Sequence, residues 1–115
     1  DVARAAFSDI ECQWLVEQAC PQTAFWQLWC LREAWLKQQG GSVWQMDRLR
    51  LDPGNQRFTS QSAAESRLWC AADESVMRAL ALPAGVSDVD EYRFDAASGG
   101  FIWQVSRHWT RFSLS

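Results

Sequence analysis

The stretch FSDIECQWLVEQACPQTAFWQLWCLREAWLKQQGG, Phe7 to Gly41, decides how the rest of the chain is read, and it reads as two helices folded into a hairpin. Ser8 followed three residues later by Glu11 is a capping box: the serine oxygen takes an orphan backbone N–H while the glutamate reaches back to another. Helix one therefore starts near Asp9, and at 100° per residue Cys12, Leu15, Val16 and Ala19 share an apolar side. Cys20-Pro21-Gln22-Thr23 breaks the run, because the residue before proline is pushed out of helical geometry and Thr23 can cap a second helix. Helix two is expected from about Ala24 to Gln39, with Gly40 and Gly41 ending it. Phe25, Leu28, Trp29, Trp35 and Leu36 form one apolar stripe of this helix. Trp26, Cys30 and Ala34 form another, assigned to helix one across a turn too short for anything but an antiparallel neighbour.

Beyond the hairpin, Ser42 to Leu51 alternates with a parity switch that a bulge near Asp47 would explain. Asp52-Pro53-Gly54-Asn55 is a turn, and Arg57-Phe58-Thr59 returns as a short strand. Ser62 to about Leu82 is alanine-rich and reads as a third helix. Asp88, Asp90, Glu91 and Asp95 form an acidic patch, read as a solvated loop because calcium loops need tighter ligand spacing. Tyr92 and Phe94, a glycine-containing turn, then Phe101, Trp103, Val105 and Trp109 make the clearest hairpin in the chain. Phe112 and Leu114 fall on the opposite parity, so a bulge intervenes or they pack elsewhere. The expected fold is α+β: an N-terminal antiparallel helical hairpin plus a third helix packed on one face of a roughly four-stranded antiparallel sheet. A length of 115 residues places all of 1–115 in a single domain.

Composition narrows the function classes. A net charge of −3 argues against a nucleic-acid partner, whose binding rests on many cationic phosphate contacts. No apolar run approaches a membrane span, and no signal peptide is present, as in a chain that has lost one. The four cysteines, Cys12, Cys20, Cys30 and Cys70, lack the close pairing of a zinc site and suggest two disulfides in an oxidising compartment. With the hairpin turn at Pro21, Cys12 and Cys30 are level on antiparallel neighbours and should bond, leaving Cys20 for Cys70; a later start of helix two would instead pair Cys20 with Cys30 and Cys12 with Cys70. The compartment is then the periplasm or the cell exterior of a bacterium.

No catalytic, metal-binding or phosphate-loop signature is found, so neither cofactor nor metal is expected. His108 stands alone, without a nucleophile motif beside it. Eight tryptophans and ten arginines against one lysine, Lys37, supply the candidate surface instead. Trp44, Arg48, Arg50, Trp103, Arg107, Trp109 and Arg111 are the candidate partner-binding residues, since tryptophan and arginine are enriched where interfaces concentrate their energy. Arginine forks suit carboxylates, which points to a protein partner with an acidic surface. The resulting expectation is a non-catalytic protein-binding module, of the inhibitor or immunity type or an accessory of an envelope machine. The alternatives are a module binding cell-wall glycan (carbohydrate or peptidoglycan) through exposed tryptophans and, third, a small hydrolase centred on His108.

Overall fold

The computed structural model describes residues 7–41, 45, 48–55, 57–60, 66–72, 76–97, 99–105 and 109–114. Two helices, α1 (Asp9–Glu17) and α2 (Pro21–Gln39), precede seven strands: β1 (Leu49–Asp52), β2 (Arg57–Ser60), β3 (Ser66–Ala72), β4 (Met77–Pro83), β5 (Glu91–Asp95), β6 (Phe101–Val105) and β7 (Thr110–Leu114). Strands β1-β2-β7-β3-β4 form a five-stranded sheet in that order, and β5-β6 form a separate two-stranded one. Every pairing is antiparallel except β2 with β7. No helix among the described residues is long and apolar enough to cross a membrane.

The capping box is present: Ser8 accepts from the Glu11 backbone N–H, and the Glu11 carboxylate accepts from the Ser8 N–H at 2.9 Å. Helix α2 begins earlier than Thr23 would place it. Cys20 is its N-cap and Pro21 its first residue, a position where the missing proline N–H costs nothing. Gly40 ends it in the left-handed conformation at φ 71°, where its N–H reaches back to Leu36 and Lys37 carbonyls.

The expected third helix and four-stranded sheet are corrected by β3 and β4, which pair residue for residue from Ser66 opposite Pro83 to Ala72 opposite Met77. Strand β3, between β7 and β4, is buried on both faces: Leu68 and Cys70 join the core under α2, while Trp69 and Ala71 are buried without belonging to it. A strand covered on both sides loses its polar alternation and resembles a buried helix in sequence. In β4 the core-facing residues are Met77, Ala79 and Ala81, so a period of two is written largely in alanine. Helix α2 packs on β3 and β4, and its Leu28 and Leu31 are fully buried together with Leu49, Phe58 and Leu68 of the sheet. Phe112 and Leu114 break the parity of the preceding hairpin because they belong to β7, which leaves the β5–β6 ribbon and inserts between β2 and β3. Glu91 and Asp95, expected in a loop, bound β5.

Helix α1 is rotated from its expected orientation. Val16 is 69% exposed, and the buried side carries Leu15 and the carboxylate of Glu11. Cys12 stays partly buried against the core. All four cysteines are reduced thiols, and none of the expected bridges forms. Cys20 sits exposed at the α2 N-cap against the Thr23 hydroxyl, 3.1 Å away, whereas Cys70 is buried in β3 and accepts from the Gln27 amide at 3.1 Å. The extracytoplasmic compartment loses the argument that the bridges supplied.

Candidate active site on helix α2

A buried ion pair holds α2 in place. Arg32 Nη2 donates to Glu11 Oε1 and, at 2.8 Å, to the Leu49 carbonyl, while Glu11 Oε1 also accepts from the Leu51 N–H. Both side chains are fully buried. The guanidinium stacks 4.3 Å above the Phe7 ring and lies 5.9 Å from that of Phe58. Burial lowers the Arg32 pKa, and the Glu11 carboxylate offsets only part of that shift. One carboxylate thus joins the start of α1, the middle of α2 and the backbone of β1, which sets the rotation of α2 about its axis.

That rotation determines which side chains α2 presents. Glu33, Leu36, Lys37 and Gly40 follow the i, i+3, i+4, i+7 spacing of one helix face. Glu33 is half-buried and its Oε1 accepts from the Trp29 indole N–H at 2.7 Å, which fixes the carboxylate one turn from Lys37, the chain's single lysine. Cys30 reports the closeness of this group: burial raises its pKa, the Glu33 carboxylate raises it further and the Lys37 ammonium lowers it. Leu36 and Gly40 continue the face into a cleft of about 500 Å³ at the end of α2, lined also by Trp35, Gln39, Gly41, Gln45 and Arg48. Its size is that of a small-molecule site. A Cβ at Gly41 would fall 2.5 Å from Gln45 Oε1 and 3.1 Å from Leu36 Cδ2, both side-chain ends that would have to shift. The Trp35 indole N–H, almost fully buried on the wall of the cleft, has no acceptor among the described residues.

Of the sequence-derived candidates among the described residues, the structure brings some together and sets others apart. Arg48 is exposed and lines this cleft. Arg50 on β1 and Arg111 on β7 are exposed on the sheet face opposite the core residues Leu49, Leu51 and Phe112, with Arg111 5.9 Å from the Trp69 ring. Trp109 is half-buried just before β7, and Trp103 lies on β6 in the other sheet. Trp44, Arg107 and His108 lie outside the described residues. Among the described residues no three His, Cys, Asp or Glu side chains gather as a metal site would need. Glu11, Arg32, Glu33 and Lys37 were not singled out by sequence reasoning as site residues. A signal existed: an arginine inside the Leu28, Leu31, Trp35 stripe, and a lone lysine four residues after a glutamate.

Glu33 and Lys37 thus place a carboxylate and an ammonium beside the cleft rather than on its lining, which Leu36, Gly40 and Arg48 help to form. Comparison with known proteins gives the family. The profile of the 4'-phosphopantetheinyl transferase superfamily matches residues 1–94, most of the chain, and the chain belongs to that superfamily. A Haemophilus influenzae protein named "Putative 4'-phosphopantetheinyl transferase" is 36% identical over 59 residues, which is 51% of this chain and 25% of that protein. The chain thus matches about a quarter of the length of this curated relative. No solved structure matches.

Membership in a family of enzymes overturns the expectation of a non-catalytic inhibitor, immunity or envelope-accessory module. With it fall the hydrolase and glycan-binding alternatives, and neither an acidic-surfaced partner nor cell-wall glycan finds support. The matched residues contain both helices, the cleft and β1 to β4, and they exclude Trp103, Arg107, His108, Trp109 and Arg111. Chemistry common to the superfamily is therefore to be sought around α2.

Proposed function

We propose that this chain takes part in transferring a 4'-phosphopantetheinyl group from coenzyme A to a hydroxyl of an acyl carrier protein. The reading is carried by the superfamily match over residues 1–94 together with the Glu33–Lys37 face and its adjoining cleft inside the matched stretch. In such a transfer the acceptor oxygen forms a bond to phosphorus, the bond from that phosphorus to the adenosine bisphosphate part of the donor breaks, and the acceptor proton must go to a base. Glu33, held by the Trp29 indole, is the carboxylate placed to take that proton. Lys37, in the last turn of α2, offsets the negative charge that builds on the phosphate oxygens, and Arg48 supplies the cation that lines the cleft itself. The polar amides of Gln39 and Gln45 suit a ligand rich in carbonyl groups.

The test is incubation of the chain with coenzyme A and unmodified acyl carrier protein, read by intact mass of the carrier. A phosphopantetheinyl mass increment that falls by about a hundredfold in rate with Glu33→Gln supports the assignment. A carrier that stays unmodified, with a chain that also shows no binding of coenzyme A, contradicts it.

A further inference from the structure

We propose that the groove between α1 and the β1–β2 turn is a docking surface for a basic amphipathic segment of another protein. The groove encloses about 360 Å³ and is lined by Asp9, Ile10, Gln13, Trp14, Glu17 and Pro53. Its floor is apolar: Ile10 is 67% exposed, and Trp14 and Pro53 are half-buried on either side of it. The rim is acidic, with Asp9 and Glu17 both exposed and no lysine or arginine among the lining residues. An apolar centre inside a polar rim is the layout of a protein interface, and carboxylates there select a cationic partner.

The placement of Glu17 gives a second reason. It lies in the last turn of α1, where the helix dipole is negative, no basic residue occupies that turn, and Glu17 accepts from the neutral Gln13 amide at 3.0 Å. A carboxylate at a helix C-terminus is unfavourable in the isolated chain and becomes favourable when a partner's ammonium or guanidinium covers it. The geometry suits an apolar side chain seated between Ile10, Trp14 and Pro53, flanked by lysine or arginine reaching Asp9 and Glu17. This groove shares no lining residue with the cleft at the end of α2, so the inference stands independently of the transferase reading.

The probe is a synthetic peptide carrying one leucine flanked by lysines, titrated into the full chain and followed by fluorescence anisotropy and by ¹⁵N chemical-shift mapping. Expected are shifts centred on Ile10, the Trp14 indole and Glu17, binding that weakens with salt, and a loss of about tenfold in affinity for each of Ile10→Ser and Glu17→Lys. Both residues are exposed, so neither substitution disturbs the core. The proposal is overturned if the two variants bind like the wild type, or if a peptide with glutamines in place of the lysines binds equally well. It is also overturned if sedimentation shows the chain to be a dimer that Ile10→Ser dissociates, because a second copy would then occupy the groove.

Discussion

Replacing Glu11 with alanine would strip the buried Arg32 guanidinium of its carboxylate, leave the Leu51 N–H without its acceptor and undo half of the Ser8 capping box. Breaking a fully buried ion pair by removing one partner costs about 3–5 kcal/mol, because the remaining charge stays desolvated. The lost backbone acceptor and cap act on the same carboxylate and do not add independently, so a total of about 4 kcal/mol is expected. Set against a domain stability of about 5–15 kcal/mol, that is a large share of what holds the chain folded. Urea unfolding followed by tryptophan fluorescence reads it directly: with an m-value of about 2 kcal/mol per molar, the midpoint should fall by about 2 M. The double substitution Glu11→Leu with Arg32→Leu should recover much of the loss, since two well-packed apolar side chains replace two desolvated charges. If the single variant lay within about 1 kcal/mol of the wild type, the pair would not be buried and bonded as described.

Non-reducing thiol titration of the unfolded chain should count four thiols, and in the folded chain Cys20 should alkylate first. The Thr23 hydroxyl and backbone amides lower the pKa of Cys20, giving it more thiolate at any given pH, while burial raises the pKa values of Cys30 and Cys70. Gly40→Ala should cost about 1 kcal/mol in the same urea experiment, because the left-handed φ of 71° penalises a Cβ even though nothing lies within 4 Å of it. Trp29→Phe keeps the aromatic packing against Phe25 and removes the N–H that orients Glu33. Its transfer rate should fall by about tenfold with little change in unfolding midpoint, and an unchanged rate would mean that the orientation is immaterial.

The start of α1 and the end of α2 were legible because they are local chemistry, whereas Pro21 read as a breaker and opens α2 instead. Ser8 with Glu11, and Gly40, each act within a turn of their own position. The stretch expected as a third helix forms strands because β3 and β4 owe their conformation to partners far along the chain: Trp69 lies opposite Arg111 and Leu80, neither visible from its own neighbours. Alanines at 79 and 81 favour helix locally and are overridden by the cross-strand register. The orientation of α1 was hidden for a related reason. Glu11 reads as a capping residue and therefore as exposed, yet the same carboxylate reaches Arg32 and the β1 backbone, so the polar position faces inward and Val16 outward. The active-site candidates escape a sequence reading because Glu33 and Lys37 match no short catalytic motif. They matter through the face they share and the cleft it leads to, which only the packed helix reveals.

Calorimetric titration of coenzyme A into the wild type, Lys37→Ala and Glu33→Gln, run beside the carrier-protein mass assay, tests the central claim most directly. If α2 carries the transfer chemistry, Lys37→Ala weakens coenzyme A binding by about tenfold, whereas Glu33→Gln binds it nearly as well as the wild type and yet transfers about a hundredfold more slowly. Wild-type binding and transfer in both variants would place the chemistry elsewhere in the protein and contradict the account.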